Sequence, residues 1–234
     1  MADYAVVTGA GGALGGAVVR ALAARGRRVA AVDLVTAEEG LRAVAAASGE
    51  ACVPFLIDVR SRGSWAGVFE RMGAGGGRLL GAALVAGGWT GGGPFHARPS
   101  DWRAMAEKNV DTAMGSLQAV LSVMVEQRAG SVVVVGARAA AEPATSAGAA
   151  AYAASKAAVV ALSQAVAAEV GPYGVRVNAV LPSTLDTPAN RAAMPGVDPA
   201  RWVDTRALAD VILFLLSDES RAVRGAAIPV YGAG

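Results

Sequence analysis

The amino-acid sequence predicts an α/β protein, a single-domain Rossmann fold with a seven-stranded, mostly parallel, doubly wound sheet. Two observations lead to this fold class. Short apolar runs of strand length alternate with longer alanine-rich stretches of helical period, which is the pattern of repeated βαβ units. The chain also has 234 residues, a formal net charge of +2 and a hydrophobic fraction of 54%. This length and composition are typical of one globular domain, here residues 1–234, that buries a sizeable core.

The strands are predicted where the apolar runs have strand length and a parallel sheet would bury both faces. These runs lie at residues 4–7, 28–33, 52–57, 79–86, 131–135, 175–181 and 226–230. Helices are predicted in the alanine-rich stretches between them, at residues 13–25, 37–47, 64–72, 99–127, 150–170 and 205–216. The glycine-rich stretches 73–77 and 87–93 each separate one helix from one strand, so we interpret them as loops.

Composition excludes several classes of function. Cys52 and His96 are single residues of their kind, so we expect neither a disulfide framework nor a metal site, and we place Cys52 in a buried strand. Charges of both signs are scattered along the chain, which indicates no nucleic-acid partner. The longest purely apolar runs are too short to cross a bilayer, so the sequence predicts a cytoplasmic protein without a membrane partner.

A glycine-rich loop follows the first predicted strand and opens the first helix. It spans Thr8 to Gly15, and the second strand ends at Asp33. Such a loop lets the backbone approach a pyrophosphate at a helix N-terminus, and an acid at the end of the second strand binds the adenosine ribose hydroxyls. Because a carboxylate repels a 2′-phosphate, the sequence favours NAD(H) over NADP(H), although Arg27 and Arg28 begin the second strand.

Tyr152 and Lys156 lie four residues apart in a predicted helix and therefore on one face. With four tyrosines and two lysines in the chain, chance would produce this spacing only about 0.03 times. A nearby ammonium favours a phenolate, so we expect Lys156 to lower the pKa of Tyr152 toward the range of a general acid or base.

These segments together resemble the short-chain dehydrogenase/reductase family over nearly the whole chain. Further matching pieces are Asp58-Val59, Asn109-Val110, residues 176–178, residues 182–187 and the closing residues 225–234. The resemblance implies that Tyr152 transfers a proton, Lys156 binds the nicotinamide ribose and Asn109 organises a proton-relay water. The expected cofactor-binding residues are Gly9, Gly11, Gly12, Leu14, Gly15, Asp33, Asp58, Val59, Ala86, Gly87, Tyr152, Lys156, Pro182, Leu185 and Thr187.

The sequence departs from the family pattern at three places. Ala13 replaces a loop glycine, residues 85–88 read Val-Ala-Gly-Gly, and Ala137 stands where the family has a catalytic serine. Loss of a hydroxyl that polarises a carbonyl costs on the order of 3 kcal/mol of transition-state stabilisation. One alternative is a substrate that needs no such donor; the other is that Ser146 or Thr145 supplies the hydroxyl.

The departures themselves resemble one branch of the family, dihydropteridine reductase. The similar pieces are residues 11–15, 85–92, 136–140 and 181–191, with Met194 and Pro195. That branch reduces a quinonoid dihydropterin with NADH, and the resemblance places Trp89, Ala137 and Tyr152 at the substrate. Against it, Ala137 and Tyr152 are 15 residues apart, a longer loop than is usual in the branch. Trp89 has a second interpretation, as a loop anchor packed on the sheet edge.

Two other functions remain open from the sequence. One is an alcohol/ketone reductase with a substituted hydroxyl, and the other is a non-catalytic dinucleotide-binding sensor or scaffold. The family resemblance also implies a homo-oligomer, a dimer or tetramer, and a small-molecule substrate.

Overall fold

The computed structural model describes residues 3–89 and 99–232. Within these residues the nine strands are β1 (Tyr4–Thr8), β2 (Arg28–Asp33), β3 (Cys52–Leu56), β4 (Leu79–Leu84), β5 (Gly130–Val135), β6 (Val175–Pro182), β7 (Leu185–Asp186), β8 (Val203–Asp204) and β9 (Ala227–Val230). All seven predicted strands are present, each within two residues of its predicted ends. The runs were recognisable because a strand covered on both faces is apolar along its whole length.

Seven of the described strands form one parallel sheet, in the order β3-β2-β1-β4-β5-β6-β9. The predicted doubly wound Rossmann fold is therefore confirmed. Strand order reverses between β1 and β4, which opens a crevice at the carboxyl ends of these two strands. This reversal decides where a ligand can enter the molecule.

The helices cover both faces of the sheet. They are α1 (Ala13–Ala24), α2 (Glu38–Ser48), α3 (Ala66–Gly73), α4 (Pro99–Ala106), α5 (Thr112–Gln127), α6 (Arg138–Ala141), α7 (Ala150–Val170), α8 (Pro188–Ala193) and α9 (Thr205–Leu216). Side chains of α3, α5 and α7 pack on one face of the sheet, and side chains of α1, α2 and α9 pack on the other. The core thus lies in two layers, one on each side of the strands.

The predicted helix over 99–127 is not a regular α-helix. A π-helical segment, Glu107–Asp111, separates α4 from α5. The insertion of one residue into the helical ladder has no periodicity signal of its own, and π segments are frequent at functional sites. Asn109, one of the predicted catalytic residues, lies in this segment.

Shorter elements at the edge of the fold had no counterpart in the prediction. Strands β7 and β8 pair in parallel through two residues each, and α6 and α8 are only four and six residues long. Elements of this length are too short for a hydrophobic period to develop. The pairing of β7 with β8 ties the chain after β6 to the start of α9, and the intervening segment borders the crevice.

Of the single cysteine, Cys52, and the single histidine, His96, the structure describes only the cysteine. Cys52 is buried in β3, as predicted, and burial raises the pKa of its thiol. His96 lies outside the described residues. Among those described, helical residues 150–173 are long and apolar enough to cross a membrane by length and composition. One side of this stretch packs against the sheet, which is the usual situation of a core helix.

Candidate active site

A cleft of about 1730 Å³ lies at the carboxyl ends of the central strands, where the strand order reverses. Every residue predicted to bind cofactor or substrate lines this cleft, from the glycine loop through Asp33, Asp58 and Trp89 to Thr187. Asn109, which was predicted as a catalytic residue, does not line the cleft, because its side chain is buried behind the wall. The tertiary structure therefore brings together residues that are up to 178 positions apart, since Gly9 and Thr187 share one surface.

The glycine loop between β1 and α1 needs its glycines for close packing. Gly9 has a φ of +66°, and a Cβ added there would lie 2.9 Å from the backbone nitrogen of Ala86. A Cβ on Gly15 would overlap the carbonyl oxygen of Gly9. Gly12 is exposed at the N-terminus of α1, where no side chain caps the helix, and Ala13 is exposed beside it. Backbone amides and the helix dipole are thus presented to the cleft, which fits a pyrophosphate.

Asp33 binds the glycine loop directly. One carboxylate oxygen accepts a hydrogen bond from the Gly11 amide at 2.8 Å, and the other accepts from the Leu34 amide at 2.8 Å. These bonds hold a negative charge at the end of β2, facing the cleft. Arg28 begins the same strand, roughly 16 Å from Asp33 along the strand at 3.3 Å per residue. Its guanidinium donates to the Met72 carbonyl, so it does not neutralise the site of Asp33.

Asp58 is held by an arginine two residues further on. The Arg60 guanidinium donates to both carboxylate oxygens, with the shortest distance 2.7 Å, and its backbone amide donates at 3.0 Å. These bonds keep the pKa of Asp58 below its usual range. Val59 is buried beside the pair, and its carbonyl accepts from the Trp65 indole at 3.1 Å. Both members of the pair line the cleft on the β3 side.

Lys156 lies on the inner face of α7 and is only 6% exposed. Its ammonium donates to the carbonyl of Val135, at the end of β5, over 2.8 Å. Burial disfavours the charged form and lowers the lysine pKa from 10.5 to about 8. A lysine with a pKa of about 8 exchanges its proton near neutral pH.

Tyr152 shows that one expectation from the sequence was wrong. Burial raises the pKa of its phenol above the ordinary value, and Lys156 does not lower it. The physical reason is that the Lys156 ammonium is directed to the Val135 carbonyl, while the surrounding apolar residues disfavour the phenolate. At neutral pH the phenol is therefore protonated and equipped to donate a proton.

Asn109 connects elements rather than facing the cleft. Its amide nitrogen donates to the Gly88 carbonyl and to the Ser155 hydroxyl, each at 3.0 Å, and its amide oxygen accepts from the Gly88 nitrogen at 2.9 Å. Gly87 packs so closely on it that an added Cβ would lie 2.7 Å from the Asn109 amide oxygen. Ala86 is anchored separately, because its amide donates to the Thr8 hydroxyl at 3.1 Å.

Ala137 lies on the cleft wall where the family has serine. It is buried in a small apolar cluster with Ala139 and Ala153, and Tyr152 packs against that cluster. Of the two proposed substitute hydroxyls, Thr145 donates to the carbonyl of Glu142 at 2.7 Å, which commits its only proton. Ser146 lines the cleft and has no corresponding bond from its hydroxyl among the described residues.

Trp89 and the segment after β6 form the outer part of the cleft. Trp89 is 56% exposed and lines the opening, so its interpretation as an anchor packed on the sheet edge is wrong. Pro182, Leu185 and Thr187 also line the cleft, and the Thr187 hydroxyl caps α8 by accepting from the Asn190 amide. Residues 90–92 of the branch-like motif lie outside the described residues.

The sequence-based selection missed Gly88, Ser155 and Arg60. Ser155 lies inside the motif that contains Tyr152 and Lys156, so its position in sequence was a usable signal. No periodicity or spacing indicated Gly88 or Arg60, because their contacts depend on the fold.

The chain is similar to known proteins over nearly its whole length. A family model described as "Enoyl-(Acyl carrier protein) reductase" matches residues 9–232. The chain is 28% identical over 236 residues to "3-oxoacyl-[acyl-carrier-protein] reductase FabG" of Escherichia coli (strain K12), covering 97% of this chain and 95% of the relative. It is 33% identical over 260 residues to "Cyclohexanol dehydrogenase" of Rhodococcus sp. (strain TK6), covering 97% and 94%.

The fold is also similar to that of a solved dehydrogenase. The crystal structure of NAD+-bound xylitol dehydrogenase superimposes with a TM-score of 0.87 at 27% identity, covering 98% of each chain. The similarity extends over the whole cleft-bearing sheet rather than over the glycine loop alone.

Proposed function

The chain belongs to the short-chain dehydrogenase/reductase family and is an NAD(P)-dependent oxidoreductase, and from this premise we propose that it is an NADH-dependent reductase of a quinonoid, dihydropterin-like substrate. Ala137 carries the proposal. Its methyl group occupies the place of the family's catalytic serine on the cleft wall, so this position cannot polarise a carbonyl oxygen. An electron-poor quinonoid ring accepts a hydride without that second donor, and then needs only a proton.

The residues of the cleft have separate roles in the proposed reaction. A bound nicotinamide supplies the hydride. The Tyr152 phenol, protonated because burial raises its pKa, donates the proton to the reduced substrate. Lys156, with a pKa near 8, is acidic enough to return a proton to Tyr152 from one helical turn away. Trp89 presents an exposed aromatic surface on which a flat conjugated ring can stack.

Asp33 is the basis for proposing NAD(H) rather than NADP(H). Its carboxylate is fixed beside the glycine loop, where a ribose 2′-phosphate would be repelled, and Arg28 lies at the opposite end of the strand. Leu34 and Val35, which follow Asp33, are exposed and uncharged, so they offer no cation for a phosphate.

The test is NADH oxidation against quinonoid dihydropterin, simple quinones and short β-keto esters. We expect kcat/KM for the dihydropterin to exceed that for keto esters by at least about tenfold, as the missing donor implies. Tyr152→Phe should lower kcat at least about 100-fold, the usual contribution of proton transfer. Tyr173→Phe, the same change at an exposed position, is the control. A preference for keto esters would overturn the pterin substrate.

A second candidate is an alcohol/ketone oxidoreductase in which Ser146 supplies the hydroxyl. The position of Ser146 on the cleft wall favours this second function, and the relatives named above include a cyclohexanol dehydrogenase. Ser146→Ala should then abolish carbonyl reduction, whereas Thr145→Ala should not, because the Thr145 hydroxyl is bonded to Glu142. An unchanged rate in Ser146→Ala removes this candidate. Any NADH oxidation that Tyr152→Phe abolishes also removes the non-catalytic sensor.

We further propose that residues 1–234 act as one catalytic unit that assembles as a homodimer or homotetramer. Helix α7 exposes small side chains, among them Ala154, Ala157 and Ala161, which permit close packing against a second copy. Light scattering at micromolar concentration should show more than one chain per particle, and a monomer would contradict the proposal.

A further inference from the structure

We propose that Ser155 is a positioning residue that holds the helical turn bearing Tyr152 in register with the loop after β4. The proposal rests on the proposed role of Tyr152 as proton donor. It concerns a side chain that does not reach the reacting atoms but is bonded to two elements that form the cleft wall.

The Asn109 side chain uses both its nitrogen and its oxygen in hydrogen bonds. Both amide hydrogens are donated, one to the Gly88 carbonyl and one to the Ser155 hydroxyl, each over 3.0 Å. The amide oxygen accepts from the Gly88 nitrogen at 2.9 Å. Asn109 is only 1% exposed, so solvent does not compete for these bonds. Its orientation is therefore set by Gly88 on one side and Ser155 on the other.

The Ser155 hydroxyl links Asn109 to the backbone of Tyr152. Its hydroxyl accepts from Asn109, so its one proton is free to be donated, and it goes to the Tyr152 carbonyl at 2.8 Å. Ser155 is 5% exposed. The result is a chain of hydrogen bonds from Gly88 through Asn109 and Ser155 to the backbone of Tyr152, in which the central Asn109–Ser155 bond is buried and the others are partly buried.

The two ends of this chain of hydrogen bonds adjoin residues that line the cleft. Gly88 directly precedes Trp89, which lines the opening of the cleft, and Ser155 directly precedes Lys156, which lines its interior. The bonds thus join the loop and helix between which a substrate would lie. Because a displacement of about 1 Å in a reacting group can cost about 100-fold in rate, loosening this connection is expected to affect proton transfer.

The same helix offers a matched control. Ser163 is also buried, at 1% exposure, and its hydroxyl donates to the Val160 carbonyl three residues earlier at 2.7 Å. Ser155 makes the equivalent bond to Tyr152 at 2.8 Å. Within the described part of the chain only Ser155 adds the bond from Asn109, so comparing the two alanine variants isolates that bond.

The experiment measures kcat, its pH profile and the thermal midpoint for Ser155→Ala and Ser163→Ala, with NADH affinity from fluorescence titration. We expect Ser155→Ala to lower kcat about tenfold or more. It should also displace the limb of the kcat pH profile that proton transfer from Tyr152 produces. Ser163→Ala should leave kcat and the pH profile at wild-type values. If the two variants match in kcat and pH profile, Ser155 is only structural and the proposal is overturned.

A second variant covers the case in which Ser155→Ala does not fold. Ser155→Cys keeps the size but weakens both hydrogen bonds, so kcat should fall between those of the wild type and Tyr152→Phe, again with a displaced pH limb. Wild-type values for Ser155→Cys would overturn the proposal. If instead Tyr152→Phe itself retains full activity, the proposed function has failed, and this outcome is distinguishable from failure of the Ser155 inference.

Discussion

Replacing Lys156 with methionine should make the nucleotide-free protein more stable near neutral pH while removing its activity. The lysine is buried on α7, and burial lowers its pKa from 10.5 to about 8. The folded state therefore carries an unfavourable charge that the unfolded chain does not penalise. Methionine has a similar length and fills the same space without a charge.

The magnitude follows from the shift in pKa. A displacement from 10.5 to about 8, at about 1.4 kcal/mol per unit, costs roughly 3 kcal/mol at pH 6.5, where both states are protonated. The substitution also removes the hydrogen bond to the Val135 carbonyl, worth about 1 kcal/mol. The expected net gain in free energy of unfolding is about 2 kcal/mol.

The pH dependence identifies the cause. Between pH 8 and 10.5 the unfolded state binds more protons at Lys156 than the folded state, so stability of the wild type rises with pH through this window. At pH 9.5 the cost of the buried charge falls to about 1.4 kcal/mol, and the advantage of Lys156→Met should shrink by about 2 kcal/mol.

The assay is urea unfolding at pH 6.5 and pH 9.5, in wild type, Lys156→Met and Lys108→Met. Lys108 is the only other lysine of the sequence and is exposed, so Lys108→Met removes an ammonium without removing a buried charge and is the matched control. Lower stability of Lys156→Met at pH 6.5, or the same difference at both pH values, would refute the reasoning.

Three further predictions concern the dinucleotide side of the cleft. Asp33→Ala should lower the ratio of kcat/KM for NADH over NADPH by about tenfold or more, because the repelling charge is gone; an unchanged ratio would contradict this assignment. Gly15→Ala should abolish NADH binding in fluorescence titration, since its methyl group overlaps loop backbone. In Gly12→Ala the methyl group would lie 3.3 Å from the Gly9 carbonyl oxygen, a contact that a small shift relieves, so this variant should still bind. Equal affinities would show that the loop tolerates the change. Arg60→Ala should raise the pKa of Asp58 toward its ordinary value in an NMR titration, because the guanidinium bonds that lower it are lost. A pKa that does not move would mean that Arg60 is not the cause.

Local patterns were sufficient to predict most of the fold. The seven strands of the main sheet and most of the longer helices follow from apolar runs and helical periods, which are properties of neighbouring residues. The spacing of Tyr152 and Lys156 likewise placed both on one helix face, as the structure shows. The π-helical segment and the two-residue strands could not be predicted, because a single inserted residue or a two-residue pairing has no periodic signal.

The sequence by itself thus determined the parallel sheet, the glycine loop at β1 and the pairing of a phenol with an ammonium on α7. Only the tertiary structure decided their chemical states. The pKa of Tyr152 rises rather than falls, and the Lys156 ammonium is bonded to the end of β5. Asn109 is bonded between Gly88 and Ser155 instead of facing the cleft. Burial and hydrogen-bond partners come from elements distant in the chain, so ionisation and orientation are properties of the assembled fold.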